Sequence, residues 1–349
     1  MVYISRHVSI LYFNLKFIDI YSYHSSQVTV LLGNGNGTFG MPINFSIEYL
    51  LDSSQMVAID TDQDHILDLA IIDGKNNYIT FILGNGDGSF REGTRIRGCY
   101  SYLHMISVGD FNDDMIMDIA LLCYADGYVS IYLGDGDGSF PTKIRLYTEN
   151  DQPMTIAIGD FNGDNHSDVA ISHNNDRTMG VFIGYGNGSF EKQKKSFSGS
   201  GYNANYMIVS DLNADGKLDM TILYEVRSIF KVFIGHGDGT FSEKTRFTFG
   251  LDGLSDEVVI KDFNRDGHLD IATIIGRPYN VVIFFGDGNG QFQNYTIFLK
   301  DLANDFSISA SDFDNNGYED IIITYGRFYS FDIFLNTGRC NFNRDTSIP

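Results

Sequence analysis

The nine residues Asp262 to Asp270, DFNRDGHLD, decide how this chain is read. Acid or amide side chains stand at the first, third, fifth and ninth positions (Asp262, Asn264, Asp266, Asp270), with Gly267 at the sixth. Oxygen donors at alternate positions of a tight turn, followed by one more four residues on, can converge on a hard cation of calcium's size. The unit occurs six times: DTDQDHILD (60–68), DFNDDMIMD (110–118), DFNGDNHSD (160–168), DLNADGKLD (211–219), DFNRDGHLD (262–270) and DFDNNGYED (312–320). Successive starts lie 50, 50, 51, 51 and 50 residues apart, which is a repeat period.

A second unit keeps the same beat: GNGNGTF (33–39), GNGDGSF (84–90), GDGDGSF (134–140), GYGNGSF (184–190), GHGDGTF (235–241), GDGNGQF (286–292) and a decayed NTGRCNF (336–342). In each of the six complete repeats it opens 16 positions after the last Asp of the acidic loop, so both units belong to one module. Within residues 55–96, QMVAID leads into the acidic loop, DLAIID leaves it, YITFIL follows a short polar loop, and SFREGTRI follows the glycine turn. These runs are too short for helices and carry β-forming residues. Glycine with Asn or Asp is what the positive φ of a tight turn demands. Four short antiparallel strands repeated seven times predict an all-β fold, a seven-bladed β-propeller with a degenerate first blade, in which radial packing buries both faces of each sheet. The blades are expected near residues 1–47, 48–97, 98–147, 148–198, 199–249, 250–299 and 300–349, one repeat domain filling the chain. The acidic loops and glycine turns should share one face, with the loops between second and third strands on the other.

The 349 residues are 43% hydrophobic, with 28 Phe and 21 Tyr, so core material is ample. The formal net charge is -21, and 19 of the 45 acidic residues are Asp at the ligand positions of the six loops. Six divalent cations would leave a net charge of about -9, so cation binding accounts for much of the acidity. Such a surface is a poor partner for nucleic acid. No run of eighteen apolar residues exists, so no membrane span is expected. Residues 1–22 have a basic Arg6 and an apolar stretch, but Lys16 and Asp19 interrupt it, and the segment reads as a worn first module in preference to a signal peptide. Cys99, Cys123 and Cys340 occupy no repeated position; a disulfide framework is not expected, while one pair with a leftover thiol and three free thiols both stand open.

An EF-hand would need flanking helices and a Glu at the twelfth position, whereas DLAII, DIALL, DVAIS, DMTIL, DIATI and DIIIT are strand-like. Metal-free acidic turns would leave the sixfold alternation of donors without a cause. The glycine units resemble phosphate-cradling loops in outline, but no helix follows them, and they read as structural turns over a core Phe such as Phe90 or Phe190. His166, His236 and His268 fall at variable repeat positions and no Ser, His and Asp set stands outside the pattern, so catalysis is not expected. The sixth loop position is Gly in the last three loops and His65, Met115 and Asn165 in the first three. Glycine best tolerates that turn, so Asp266→Ala should remove a tighter calcium ion than Asp164→Ala.

At these residues the chain resembles the FG-GAP or VCBS repeat family, whose best-known members form the N-terminal propeller of integrin α subunits. GDFNGDNHSDVAIS (159–172) followed by VFIGYGNGSF (181–190) carries the likeness, which spans essentially the whole chain. The resemblance implies up to six Ca2+ ions. One would be held by the side chains of Asp262, Asn264, Asp266 and Asp270 with the backbone carbonyl of His268, another by Asp60, Asp62, Asp64 and Asp68 with Ile66. The same carry-over gives Asp110, Asn112, Asp114 and Asp118 with Ile116; Asp160, Asn162, Asp164 and Asp168 with His166; Asp211, Asn213, Asp215 and Asp219 with Lys217; and Asp312, Asp314, Asn316 and Asp320 with Tyr318. The chain departs from the family in the first module, which lacks the loop, and at Asn316.

The resemblance further implies an extracellular, calcium-stiffened scaffold for protein recognition or adhesion, here expected as a monomer. Related propellers also serve as lectins or as accessory domains of secreted enzymes. The sequons at Asn36, Asn44, Asn165, Asn187 and Asn294 are compatible with secretion. The segments that differ most between modules, GKNN (74–77), NNDRT (174–178), EVRS (225–228) and GRPYN (276–280), place the expected recognition surface away from the acidic loops. Tyr100, Tyr102, Tyr202, Tyr279 and Tyr329 lie in or beside those loops and the connections between blades, as candidate anchors.

Overall fold

The structure, a computed structural model, describes residues 12–13, 17–22, 27–48, 53–101, 103–148, 152–174, 178–197, 204–224, 229–248, 254–275, 279–302, 306–325, 330–338 and 340–345. The strands pair, each with its sequence neighbour, into four-stranded antiparallel sheets at residues 12–46, 53–97, 103–147, 153–197, 204–248, 254–302 and 306–345. Together they make an all-β propeller of four-stranded blades. In the second sheet the strands run Ser53–Ile59, Asp68–Asp73, Tyr78–Gly84 and Phe90–Arg97, close to the four apolar runs of the sequence. Residues 12–46, where no acidic loop is written, nevertheless pair in the same order.

Burial follows from radial packing. Second strands such as Asp68–Asp73, Asp118–Cys123 and Asp270–Ile275 are buried along their whole length, because a neighbouring sheet covers each face. Alternate side chains therefore serve different interfaces: Leu69 and Ile71 pack towards the first sheet, Ala70 and Ile72 towards the third. Fourth strands such as Phe90–Arg97 are largely exposed. First strands of successive sheets contact one another and form the inner layer. Between the seventh and first sheets, Leu31 packs with Phe313, Ile322 and Ile333, and Phe39 meets Phe313 and Phe331 edge-on. The Asn315 side-chain amide donates to the Gly35 carbonyl at 2.8 Å across the same seam.

Among the described residues no helix is long and apolar enough to cross a membrane. Of the alternatives left open for cysteine, the structure has one pair, Cys99–Cys123, and a free Cys340. The bridge ties the connection between the second and third sheets to the end of a buried strand. It closes a segment of 24 residues, so Cys123→Ser is expected to cost about 3 kcal/mol, measured by urea unfolding under non-reducing conditions. A loss equal to that caused by reductant in the parent would assign the whole effect to the bridge.

Candidate functional site

Each acidic loop is first a self-bonded turn. The first-position carboxylate accepts the backbone N–H of the sixth residue at 2.7–3.0 Å in all six loops. The fifth-position side-chain oxygen accepts the N–H of the seventh residue, again at 2.7–3.0 Å. Alternate donors thus fold the loop even before any ion is considered, through the Asx-type bonds that Asp and Asn favour in turns.

The ninth residue has a different task. Asp68, Asp118, Asp168, Asp219, Asp270 and Asp320 are each fully buried. One oxygen accepts the N–H of the second loop residue at 2.8–3.1 Å. The other accepts the N–H that opens the glycine unit at 2.7–2.9 Å. The 16-residue offset between the two sequence units is therefore the span of one hydrogen bond. It places loop and glycine turn on the same face. Burial, reinforced by the loop's other carboxylates and opposed by the two amides, pushes Asp118, Asp168 and Asp270 up to about 6 and Asp320 up to about 7.

Neighbouring blades are joined on this face. In the glycine turns the amides of Gly138, Gly188, Gly239 and Gly37 donate to the carbonyls of Thr61, Phe111, Phe161 and Phe313 in the adjacent acidic loop, at 2.8–3.0 Å. Those second-position side chains are buried, and Phe111 and Phe161 pack against the turn-closing Phe190 and Phe241. This second-position plug was not singled out from sequence, although Phe recurs there in four of the six loops. Side chains at positions four and seven meet across blades as well: His166 Nδ1 lies 2.6 Å from Asp113 Oδ2, and Arg265 stacks on Tyr318 at 4.1 Å.

The sixth position is left-handed in every loop, whether Gly267 (φ 86°) or Met115 (φ 64°). The fourth position is left-handed too, at Gln63, Asp113, Gly163, Ala214, Arg265 and Asn315, which the sequence reading missed because only one of the six is glycine. Met115 is 87% exposed and gains little packing for its strained backbone. Met115→Gly is therefore expected to raise stability by about 1 kcal/mol, read as a higher urea midpoint at unchanged slope; a lower midpoint would show that the Met side chain contributes contacts.

The residues fit a calcium-sized cation to different degrees. Carboxylate oxygens of Asp60, Asp62 and Asp64 lie within 4.8 Å of one another, as do those of Asp312, Asp314 and Asp320. Asp60 Oδ1 and Asp62 Oδ1 are buried without a hydrogen-bond partner, which a cation would supply. In the other four loops the amide nitrogens of Asn112, Asn162, Asn213 and Asn264 donate to the fifth-position carboxylate at 2.7–3.2 Å. Holding a cation there requires a half-turn of each amide, to present its oxygen. Of the seventh residues, Ile66, Ile116, His166, Lys217, His268 and Tyr318 are placed beside these oxygens by their own N–H groups. Of the expected Tyr anchors, Tyr100 is described and exposed. Tyr102, Tyr202, Tyr329 and the Tyr279 side chain lie outside the described residues, as do residues 175–177, 225–228 and 276–278.

A search of curated protein sequences returns no significant match. Among solved structures, a lectin from Agrocybe aegerita that recognises non-reducing terminal N-acetylglucosamine superposes with a TM-score of 0.69 at 18% identity, covering 95% of this chain and 90% of that one. A Lactobacillus plantarum protein gives 0.67 at 11% identity over 96% and 97% of the two chains. A proposed 6-phosphogluconolactonase from Bacteroides fragilis gives 0.69 at 12% identity over 95% and 94%. At these identities the likeness is one of fold. FG-GAP-like repeats match residues 60–121, 110–171, 160–222, 211–273 and 262–323, each match running from one acidic loop through the next. With more than half of its length covered by these repeats, the chain belongs to the FG-GAP-like repeat family.

Proposed function

We propose that the chain is a seven-bladed, calcium-stiffened propeller that works outside the cell as a non-catalytic, monomeric module for recognising proteins. The observation that carries this reading is the unequal use of the two faces. On the acidic face, glycine turns bond to the adjacent acidic loops at four junctions, and the six loops repeat nearly the same residues. In the sequence the loops between second and third strands differ from module to module, Tyr100 in a connection between sheets is exposed, and variable loops on a rigid scaffold are where binding usually resides. The clustered carboxylates support calcium as the stiffening ion. The Cys99–Cys123 bridge supports an oxidising compartment.

Screening the immobilised chain against secreted proteins and a glycan array tests the reading. The expected result is a protein ligand that Asp87→Lys and Asp137→Lys, on the acidic face, leave bound. Loss of binding only from those two changes would overturn the placement. The second reading, a lectin, is favoured by the fold shared with the N-acetylglucosamine-recognising protein of Agrocybe aegerita. Specific sugar binding with a stoichiometry above one would establish it, because a lectin built from repeats should reuse equivalent pockets.

A further inference from the structure

We propose that the third blade carries a preformed docking site for an acidic segment of a protein partner, centred on Arg145 and Tyr100; this deepens the recognition reading and rests on it. Two neighbouring blades differ here in one residue that decides the charge balance. In the second blade Arg95 stacks over Tyr78 at 4.3 Å, and its guanidinium is paired with Asp73, the buried last residue of a second strand, at 2.7 Å. The third blade repeats the stack: Arg145 lies over Tyr128 at 5.3 Å. At the position equivalent to Asp73, however, stands Cys123, which is committed to the disulfide. That position offers no counter-ion in the third blade. Among the described residues, Arg145 has no carboxylate partner within 4 Å; its Nη2 donates to the Tyr100 hydroxyl at 3.3 Å.

The surroundings hold this guanidinium ready. Tyr100 and Tyr147 are 62% and 64% exposed, and Tyr147 meets Tyr128 edge-on. Arg97 also lies over the Tyr100 ring, at 5.8 Å. Among the described residues, the acid beside this patch, Asp126, is occupied by the N–H groups of Tyr100 and Ser101 and by the Ser101 hydroxyl, at 2.8–3.0 Å. Those bonds and the adjacent Cys99 bridge pin the Tyr100 segment to the turn before Tyr128. A planar guanidinium fork, stacked on aromatic rings and lacking its own anion, matches a carboxylate presented by a partner. Tyr and Arg together are also the side chains that dominate protein interface energetics. The chain's overall negative charge acts at longer range and is screened beyond about 10 Å at 0.1 M salt, so the local cations govern this contact.

The test uses the full chain and a fluorescein-labelled synthetic peptide of alternating glutamate and glycine, followed by fluorescence anisotropy. Saturable binding is expected, weakened at least about tenfold by Arg145→Ala and by Tyr100→Ala. Arg145→Lys keeps the charge without the fork and should restore only a minor part of the loss. Lys244→Ala, the same charge change on the exposed outer strand of the fifth sheet, should alter binding by less than about twofold. Unchanged melting curves for the three patch variants establish that the fold is intact. An equal loss from Lys244→Ala, or no saturable binding by the parent, would overturn the proposal. So would tighter, Arg145-dependent binding of a heparin oligosaccharide, which would assign the patch to an anionic glycan, or Arg145-dependent self-association in sedimentation. If a ligand found by the secreted-protein screen is lost on changes elsewhere and not at Arg145, the docking site fails and the recognition reading stands; if no screen yields a ligand, the recognition reading itself fails.

Discussion

In millimolar calcium the protein is expected to melt on the order of 10 °C or more above its midpoint in chelator. The estimate rests on mass action: an ion bound to the folded state alone adds about 2.7 kcal/mol at a hundredfold excess over its dissociation constant, and there are six candidate loops. Even two occupied loops would move the transition visibly. The physical source is the gathering of carboxylates that repel one another. In the second blade this is most acute, because Asp60, Asp62 and Asp64 converge and two of their buried oxygens have no hydrogen-bond donor. Magnesium at the same concentration should do much less, since it demands tighter octahedral geometry and gives up its water reluctantly. Scanning calorimetry in calcium, magnesium and chelator decides the matter; a midpoint that calcium leaves unchanged removes the metal assignment from every loop.

Asp270→Ala should cost about 3 kcal/mol whether or not calcium is present. The carboxylate is fully buried and accepts the N–H groups of Phe263 at 3.0 Å and Gly286 at 2.9 Å. Truncation strands both donors in a buried region, and it cuts the tie between loop and glycine turn. Relief of the carboxylate's own burial, which pushes it up to about 6, returns part of the loss at neutral pH. Asp266→Ala is the contrast. That side chain is exposed, so in chelator its loss should cost roughly 0.5 kcal/mol, with any larger effect confined to calcium. Urea titrations of both variants, with and without calcium, separate a clamp from a ligand. Equal, strictly calcium-dependent losses would show that the ninth residue acts as a ligand alone.

Much of this fold was legible because a repeat lets the chain be compared with itself. The 50-residue period, the four apolar runs and the fixed offset between Asp68 and Gly84 needed only counting, and the structure gives the offset its cause in one hydrogen bond. The left-handed sixth position could be anticipated from Gly216, Gly267 and Gly317. Its fourth-position companion could not, since Gln63, Ala214 and Arg265 give no compositional sign of positive φ. The ninth Asp was legible as an acid but not as a clamp, because the use of its oxygens depends on an amide 16 residues away. The cysteine pair stayed open for a related reason. Cys99 sits in a connection between sheets and Cys123 in a repeat position that other blades fill with Asp73, His173, Tyr224, Ile275 or Tyr325, so no spacing rule links them.

The seam between the first and seventh sheets bears on how the protein comes to be folded. Its contacts join Gly35 to Asn315 and Leu31 to Ile333, so they cannot form until the seventh sheet has left the ribosome. Until then the first sheet keeps one apolar face bare, a surface open to aberrant association or to exchange with another nascent chain. Contacts of such sequence separation carry a late entropic cost and reward only the last step. Weakening the seam, as Phe39→Ala would, should leave early folding almost untouched and act by hastening the opening of the finished ring.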